Sequence, residues 1–448
     1  MERDLTSGSV FKTVVYFSLP YLLSYFLQTL YGMADLFIVG QFGGVSSTTA
    51  VSIGSQIMHM LTVMIVGLAM GATVNIGQAV GGKDSRKAAL FTGNTITLFM
   101  GLSLALTLLL LILRSTIVSA VSTPADAVAG TVDYLTICFI GIPFVTAYNI
   151  ISAVFRGMGD SKSPMYFIAA ACAANIALDY LFIGALGMGP AGAALGTTLS
   201  QAVSVVISLI FIKMRKTDFA LKKTDLKSNK QITGKILKIG VPVAMQDGFI
   251  QIAFMVITVI ANRRGLNDAA AVGIVEKIIG FLFLIPSSML SAVSALGAQN
   301  IGAQKPERAK KTLLYAIFIA AGFGGTVAVI MQFLSGSAVS LFTDSAAVIR
   351  LGGEYLRGYA WDCLFAGIHF AFSGYFCACG KSGISFMHNI IAILLVRIPG
   401  AYFMSAMFPE TLYPMGLATA AGSLLSAIIC AAAFVIITAK GKNAQIKK

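Results

Sequence analysis

The chain has 448 residues, 57% of them hydrophobic and 11% charged, with a mean hydropathy of +0.85. A soluble domain carries about 25% charged residues, so the composition excludes one and requires an all-α, polytopic membrane protein; the 45 glycines suit close helix packing. The net charge of +14 might suggest nucleic acid, but the Lys and Arg gather in short loops on one side, which excludes that reading.

The first apolar run, 14–40, reads VVYFSLPYLLSYFLQTLYGMADLFIVG. At about 27 residues it can cross a bilayer core of roughly 30 Å; it is too long for a cleavable signal and lacks an A-x-A site. Asp35 is its one charge, Tyr31 lies a helical turn earlier on the same face, and Pro20 is placed to kink the helix. An ionised carboxylate at mid-bilayer costs about 2.5–3.5 kcal/mol. No neighbouring cation in sequence offers a structural pair, so Asp35 is expected to face a cavity and bind something.

Eleven further apolar segments follow, at roughly 48–78, 89–113, 132–155, 165–184, 191–212, 238–262, 269–296, 312–334, 355–378, 386–407 and 414–438. The loops after segments 2, 4, 6, 8 and 10 hold Lys83, Arg86, Lys87, Arg156, Lys162, Lys305, Arg308, Lys310, Lys311 and Lys381. The same side takes Arg3, Lys12, the Lys-rich run 213–238 and the Lys440–Lys448 tail. The opposite loops hold only Arg114, Arg263, Arg264, Arg350 and Arg357. The positive-inside rule therefore puts both termini in the cytoplasm, as an even number of crossings requires.

The two halves repeat. AVSIGSQI at 50–57 answers AVGIVEKI at 271–278, and GQAVGGKDSRKA at 77–88 answers AQNIGAQKPERA at 298–309. The offset of about 221 residues and six crossings per copy predict two six-helix bundles related by a two-fold along the membrane normal. The expected division is an N-lobe at 1–212, a solvated cytoplasmic linker at 213–237, and a C-lobe at 238–448 ending in the basic tail. Two such bundles are the architecture of alternating-access transporters.

Depth along the helices, at about 1.5 Å per residue, puts Asp35, Asp179 and Thr197 in one layer below the outer surface. Asn175 precedes Asp179 by one turn on the same face, as Tyr31 precedes Asp35. Tyr134 is expected at the outer mouth of segment 4, with Asn149 and Ser152 deeper, and these three with Pro20 are candidate substrate-cavity residues. Two carboxylates close together are expected to hold one proton between them, and the oxygen-only set Asp35, Asn175, Asp179 and Thr197 also suits Na⁺. Taken singly, each residue could serve helix–helix hydrogen bonding; as a set at matched depth they read as a cation-coupling site.

The C-lobe is read differently. Gln246, Asp247, Trp361 and Asp362 are candidate cavity residues. Trp361, Tyr355 and Tyr359 either line a cleft for flat aromatic cations or anchor at the interface. Glu276 and Lys277 are read as an intramembrane acid and base on different faces. Arg397 is expected either in a structural pair with Glu276 or Asp362, or in coupling. The six cysteines lie in apolar runs and read as packing residues; Cys377 and Cys379 are too close for an ordinary disulfide and lack partners for zinc. No P-loop or HExxH occurs, and His59, His369 and His388 match no ligand spacing, so neither an enzyme nor a cofactor is expected.

LPYLLSYFLQTLYGMADLFIVGQFG (Leu19–Gly43), NIALDYLFI (Asn175–Ile183), GPAGAALGTTLSQ (Gly189–Gln201) and VRIP (Val396–Pro399) together resemble the multidrug and toxic compound extrusion family over essentially the whole chain. The resemblance implies a V-shaped pair of lobes and export of cationic drugs against H⁺ or Na⁺ by a monomer in the cell membrane, with the N-lobe acids carrying the coupling ion. One branch of the family couples through a segment-7 glutamate and a segment-10 aspartate. Here segment 7 has Asp247 and Gln251 but no glutamate, so the chain looks closer to the branch of DNA-damage-induced and MepA-like proteins. A flippase for lipid-linked precursors, from the same superfamily, is the alternative.

Overall fold

The computed structural model describes residues 5–214 and 221–446, with the backbone alone for 440–446; Arg3, the stretch 215–220, Lys447 and Lys448 lie outside the described residues. Among the described residues there is no strand. The first half holds α1 (Val10–Phe42), α2 (Val45–Gly81), α3 (Ser85–Ala120), α4 (Ala125–Ile140), α5 (Ile142–Met158), α6 (Lys162–Asp179) and α7 (Gly189–Met214). The second holds α8 (Lys230–Asn262), α9 (Leu266–Leu282), α10 (Leu284–Gly302), α11 (Pro306–Ser340), α12 (Ala346–Tyr359), α13 (Trp361–Ala378), α14 (Ser382–Ala392), α15 (Ile398–Met407) and α16 (Tyr413–Ile446).

Each of the twelve apolar segments falls on one helix or one broken pair. Ten helical stretches are long and apolar enough to cross a membrane, and eleven when α4 and α5, bent by 46°, count as one. The remaining segment is the α12–α13 pair, whose Arg350, Glu354, Arg357 and Asp362 lower its apolar character. Proline explains two of the breaks: Pro143 opens α5 and Pro286 opens α10, each unable to donate to the preceding turn. Pro399 similarly follows a widened π turn, Ile393–Arg397, between α14 and α15.

Two compact units result: Leu19–Gly240, and Val241–Lys448 together with Leu5–Ser18. Both changes of unit fall inside helices, α1 and α8, just before the helix-internal prolines Pro20 and Pro242. The first unit thus includes the linker and the opening turns of α8, unlike the division at 212 and 238 expected from sequence. Its inner core gathers Phe91, Phe99, Phe155 and Phe167, and a second cluster around Ile38, Tyr134, Leu135 and Phe139 fills the other end. The second unit has its own core of Ile257, Val272, Val275, Tyr355 and Tyr359.

The described part of the linker is mostly exposed, as a solvated linker would be, and is held to the first unit through Asp225 and its neighbours. Its single turn Lys223–Leu226 lies on α3, where the Arg86 guanidinium pairs with the buried Asp225 carboxylate. The Asn94 side chain accepts from the Asn229 N–H at 2.7 Å and donates to the Asp225 carbonyl at 3.3 Å, and Thr97 donates to the Leu226 carbonyl at 2.7 Å. Gly93 permits the approach, because a Cβ there would collide with the Asp225 backbone. The backbone N–H of Lys222 first, and Arg86 after it, hold the Asp225 carboxyl below the usual carboxylate range.

Candidate functional site

Three helices of the first unit bring the expected N-lobe cluster together. Asp35 of α1 is 2% exposed, and Asn175 and Asp179 of α6 are fully buried. From α7, the Thr197 hydroxyl donates to Asp35 Oδ2 at 3.0 Å. Asp35 also faces Asp179 and Asn175, but Asp35 Oδ1, both oxygens of Asp179 and both polar atoms of Asn175 have no hydrogen-bond partner among the described residues. Tyr31 stands beside Asp35, one turn away as expected.

Local backbone features set this geometry. The α-helix α6 ends on Asp179 and passes into a π turn, Tyr180–Ala185; such widened turns recur at functional sites. Opposite, α7 presents Gly196, and a Cβ there would lie 3.2 Å from Asp179 Cγ and under 3.0 Å from Oδ1. The carboxylate therefore occupies space that any other residue at 196 would fill.

Two buried carboxylates with no cation beside them among the described residues are costly unless something positive neutralises them. The atoms left without partners, mostly oxygens, form a donor set that fits a proton or a small hard cation. They are ill suited to a soft transition metal, and no group of three His, Cys, Asp or Glu that could hold a metal occurs among the described residues.

Of the remaining candidates, Tyr134 lies near the cluster and the others scatter. Pro20 is buried inside α1. Tyr134 is 2% exposed, packs in an apolar cluster and has Asp35 and Tyr31 as neighbours. Asn149 is buried, donates to the Val145 carbonyl at 2.8 Å, and lines a small cavity with Tyr21, Thr73 and Arg156; Ser152 is fully buried one turn away. In the second unit Gln246 is 1% exposed, while Asp247 and Trp361 are half-buried.

Asp362 is committed elsewhere: Arg397 donates to its Oδ2 at 3.3 Å and to the Tyr359 hydroxyl at 2.7 Å, with Phe254 and Tyr359 flanking the guanidinium. The choice left open by sequence thus falls on Asp362, and Glu276 instead accepts from the Thr258 hydroxyl at 3.1 Å. Tyr355 and Tyr359 are fully buried, 5.5 Å apart edge to face, so they pack the core rather than line a surface. Lys277 is exposed on α9, not a buried base.

Two features escaped the sequence reading. His369 and His388, distant in sequence, meet with ring centroids 5.5 Å apart, and Ser373 bonds His388 Nε2 at 2.9 Å. Arg156, assigned to a loop by charge alternation, lies within α5 and is 8% exposed; nothing in a lone loop-edge arginine signals this.

A buried carboxylate cluster inside one of two repeated bundles of apolar helices defines the class: a multi-pass helical membrane protein with an internal repeat. The chain belongs to the MatE family, whose model matches it twice, at residues 20–181 and 242–403; the two matches start at Pro20 and Pro242. Among relatives, it is 27% identical to "Probable multidrug resistance protein YoeA" of Bacillus subtilis over 90% of this chain and 89% of that one. It is 27% identical to "Multidrug export protein MepA" of Staphylococcus aureus over 96% and 93%. Its fold matches an outward-facing multidrug resistance MATE family transporter of the MOP superfamily with a TM-score of 0.92 at 23% identity, covering 98% of this chain and 99% of that one. A MOP superfamily transporter from Pyrococcus furiosus, described by a reversed polarity of its binding pocket, matches at 0.90 and 23% identity over 99% and 98%.

Proposed function

We propose that the chain is a secondary active exporter in the cell membrane. It exchanges cationic and amphipathic small molecules for H⁺ or Na⁺ by alternating access, with both termini cytoplasmic. The observation that carries this is the Asp35–Asn175–Asp179–Thr197 cluster, buried, oxygen-rich and with no cation beside it among the described residues. The names of the relatives, multidrug export and multidrug resistance proteins, support the substrate class.

In this mechanism the incoming cation neutralises the facing carboxylates. Thr197 fixes one oxygen of Asp35, and Gly196 gives Asp179 its position against it. Cargo of positive charge competes for the same negative field, so ion binding favours its release. One positive charge moving inward through 100 mV releases about 2.3 kcal/mol, which sustains roughly a 50-fold gradient of a neutral cargo.

The test is efflux of a fluorescent organic cation from proteoliposomes, driven separately by an H⁺ and by a Na⁺ gradient. One gradient is expected to drive transport, and Asp35→Asn is expected to abolish it at unchanged reconstitution. A response to neither gradient would sink the exporter reading and leave the flippase.

A further inference from the structure

We propose that the linker turn held on α3 is a lipid-binding surface: it lies at one edge of the bilayer core and takes the anionic headgroups of that leaflet. This role is separate from the exchange of ion and cargo and needs neither.

Depth places the turn. Residues 88–113 of α3 carry no charge, and Arg114 closes the run. A hydrocarbon core of about 30 Å takes about 20 residues at 1.5 Å per residue, so a core that starts at Arg114 ends near Asn94. Asn94 and Thr97 are the side chains that hold the linker, through the Asn229 N–H and the carbonyls of Asp225 and Leu226. The turn Lys223–Leu226 is therefore fixed where hydrocarbon meets headgroups.

The repeat supplies a contrast. At the offset of about 221 residues, Leu226–Asn229 answers Leu5–Gly8, and α3 answers α11. In the second unit Lys305 and Arg308 donate to the carbonyls of residues 5–8, so these basic groups are occupied by the chain itself, and Leu5 is 4% exposed. In the first unit neutral Asn94 and Thr97 and the Arg86–Asp225 pair do the holding. Leu226 is left 37% exposed and Leu221 43%. Lys83, Lys87, Lys223, Lys227 and Lys230 are exposed and form no ion pair among the described residues. The other acid of this surface, Asp84, caps α3 by accepting from the Lys87 N–H.

Lysines at this depth lay their stems along apolar surface and keep the ammonium among phosphates. The exposed leucines meet acyl chain at the same level. Together they match an anionic lipid, whereas free phosphate satisfies only the lysines. Each lysine close to an anionic leaflet contributes about fivefold in affinity.

The test is binding of a short-chain phosphatidylglycerol to the purified full chain in detergent, read by amide exchange over 221–229. Phosphatidylglycerol is expected to slow the exchange; phosphatidylcholine of the same chain length and inorganic phosphate are expected to leave it unchanged. Lys223→Gln, Lys227→Gln and Lys230→Gln together are expected to weaken phosphatidylglycerol about 100-fold, with the thermal midpoint and the lipid-free exchange unaltered. A second measurement reads depth in liposomes. Leu226→Trp in a Trp361→Phe background, which keeps a single tryptophan, is expected to be quenched by lipid brominated on its acyl chains. Equal protection by phosphatidylcholine, or protection by phosphate, overturns the proposal. So does an unchanged affinity in the triple variant, or Leu226→Trp emission quenched by aqueous iodide and not by brominated lipid.

Discussion

Gly196→Ala tests whether the precise seat of Asp179 matters. The added methyl would lie 3.2 Å from Asp179 Cγ and inside 3.0 Å of Oδ1, against an ordinary contact of about 3.5–4.0 Å. The carboxylate must retreat by on the order of 1 Å, because the methyl is fixed to the α7 backbone and Asp179, fully buried, has little room elsewhere. Overpacking of this kind costs about 1–3 kcal/mol of stability, which a long helical bundle should survive. A displacement of about 1 Å in a positioned site can cost roughly 100-fold in rate. Gradient-driven efflux is therefore expected to fall 10- to 100-fold while the thermal midpoint in detergent drops by only a few degrees. In an Asp179→Asn background the same methyl should cost little more, since the group it displaces has already lost its charge. Full efflux by folded Gly196→Ala would refute the idea that the two carboxylates act as a closely placed pair.

Arg397→Met should destabilise the second unit by about 3–5 kcal/mol, because it leaves Asp362 buried without its cation; Arg397→Met with Asp362→Asn should recover much of that loss in a thermal melt. The linker clamp should depend on pH with a definite sign. Asp225 is held below the usual carboxylate range when docked, so its contribution is present above the ordinary carboxylate pKa and disappears as pH falls through the lowered value. Amide exchange over 221–229, corrected for intrinsic rates, should quicken there, and Asp225→Asn should show the faster exchange already at neutral pH. Equal exchange by parent and variant at neutral pH would remove the ion pair as the cause of docking.

The hydrophobic runs and the repeat made the helices and their pairing into halves legible, since membrane spans need long apolar stretches and a duplicated bundle leaves its spacing in the chain. The carboxylate cluster was legible because Asp35 is isolated and because Asn175 and Asp179 share a helix face. What sequence could not supply were contacts between distant helices: Gly196 opposite Asp179, Asn94 receiving the linker, His369 meeting His388, and Asp362 rather than Glu276 beside Arg397. Arg156 was misplaced for a related reason, as the charge-alternation rule counts a basic residue near a helix end and says nothing of the tyrosines it faces.

The unequal fate of acids in the two halves has a consequence for stoichiometry. One half carries facing carboxylates with no cation beside them among the described residues, while the other pairs Asp362 with Arg397 and keeps Asp247 and Glu276 apart from it. On the exporter reading proposed above, a duplicated scaffold of this kind is expected to turn over with one ionic seat, not two. At fixed voltage, a tenfold steeper ion gradient should then raise the limiting cargo ratio tenfold, whereas a second working seat would raise it a hundredfold.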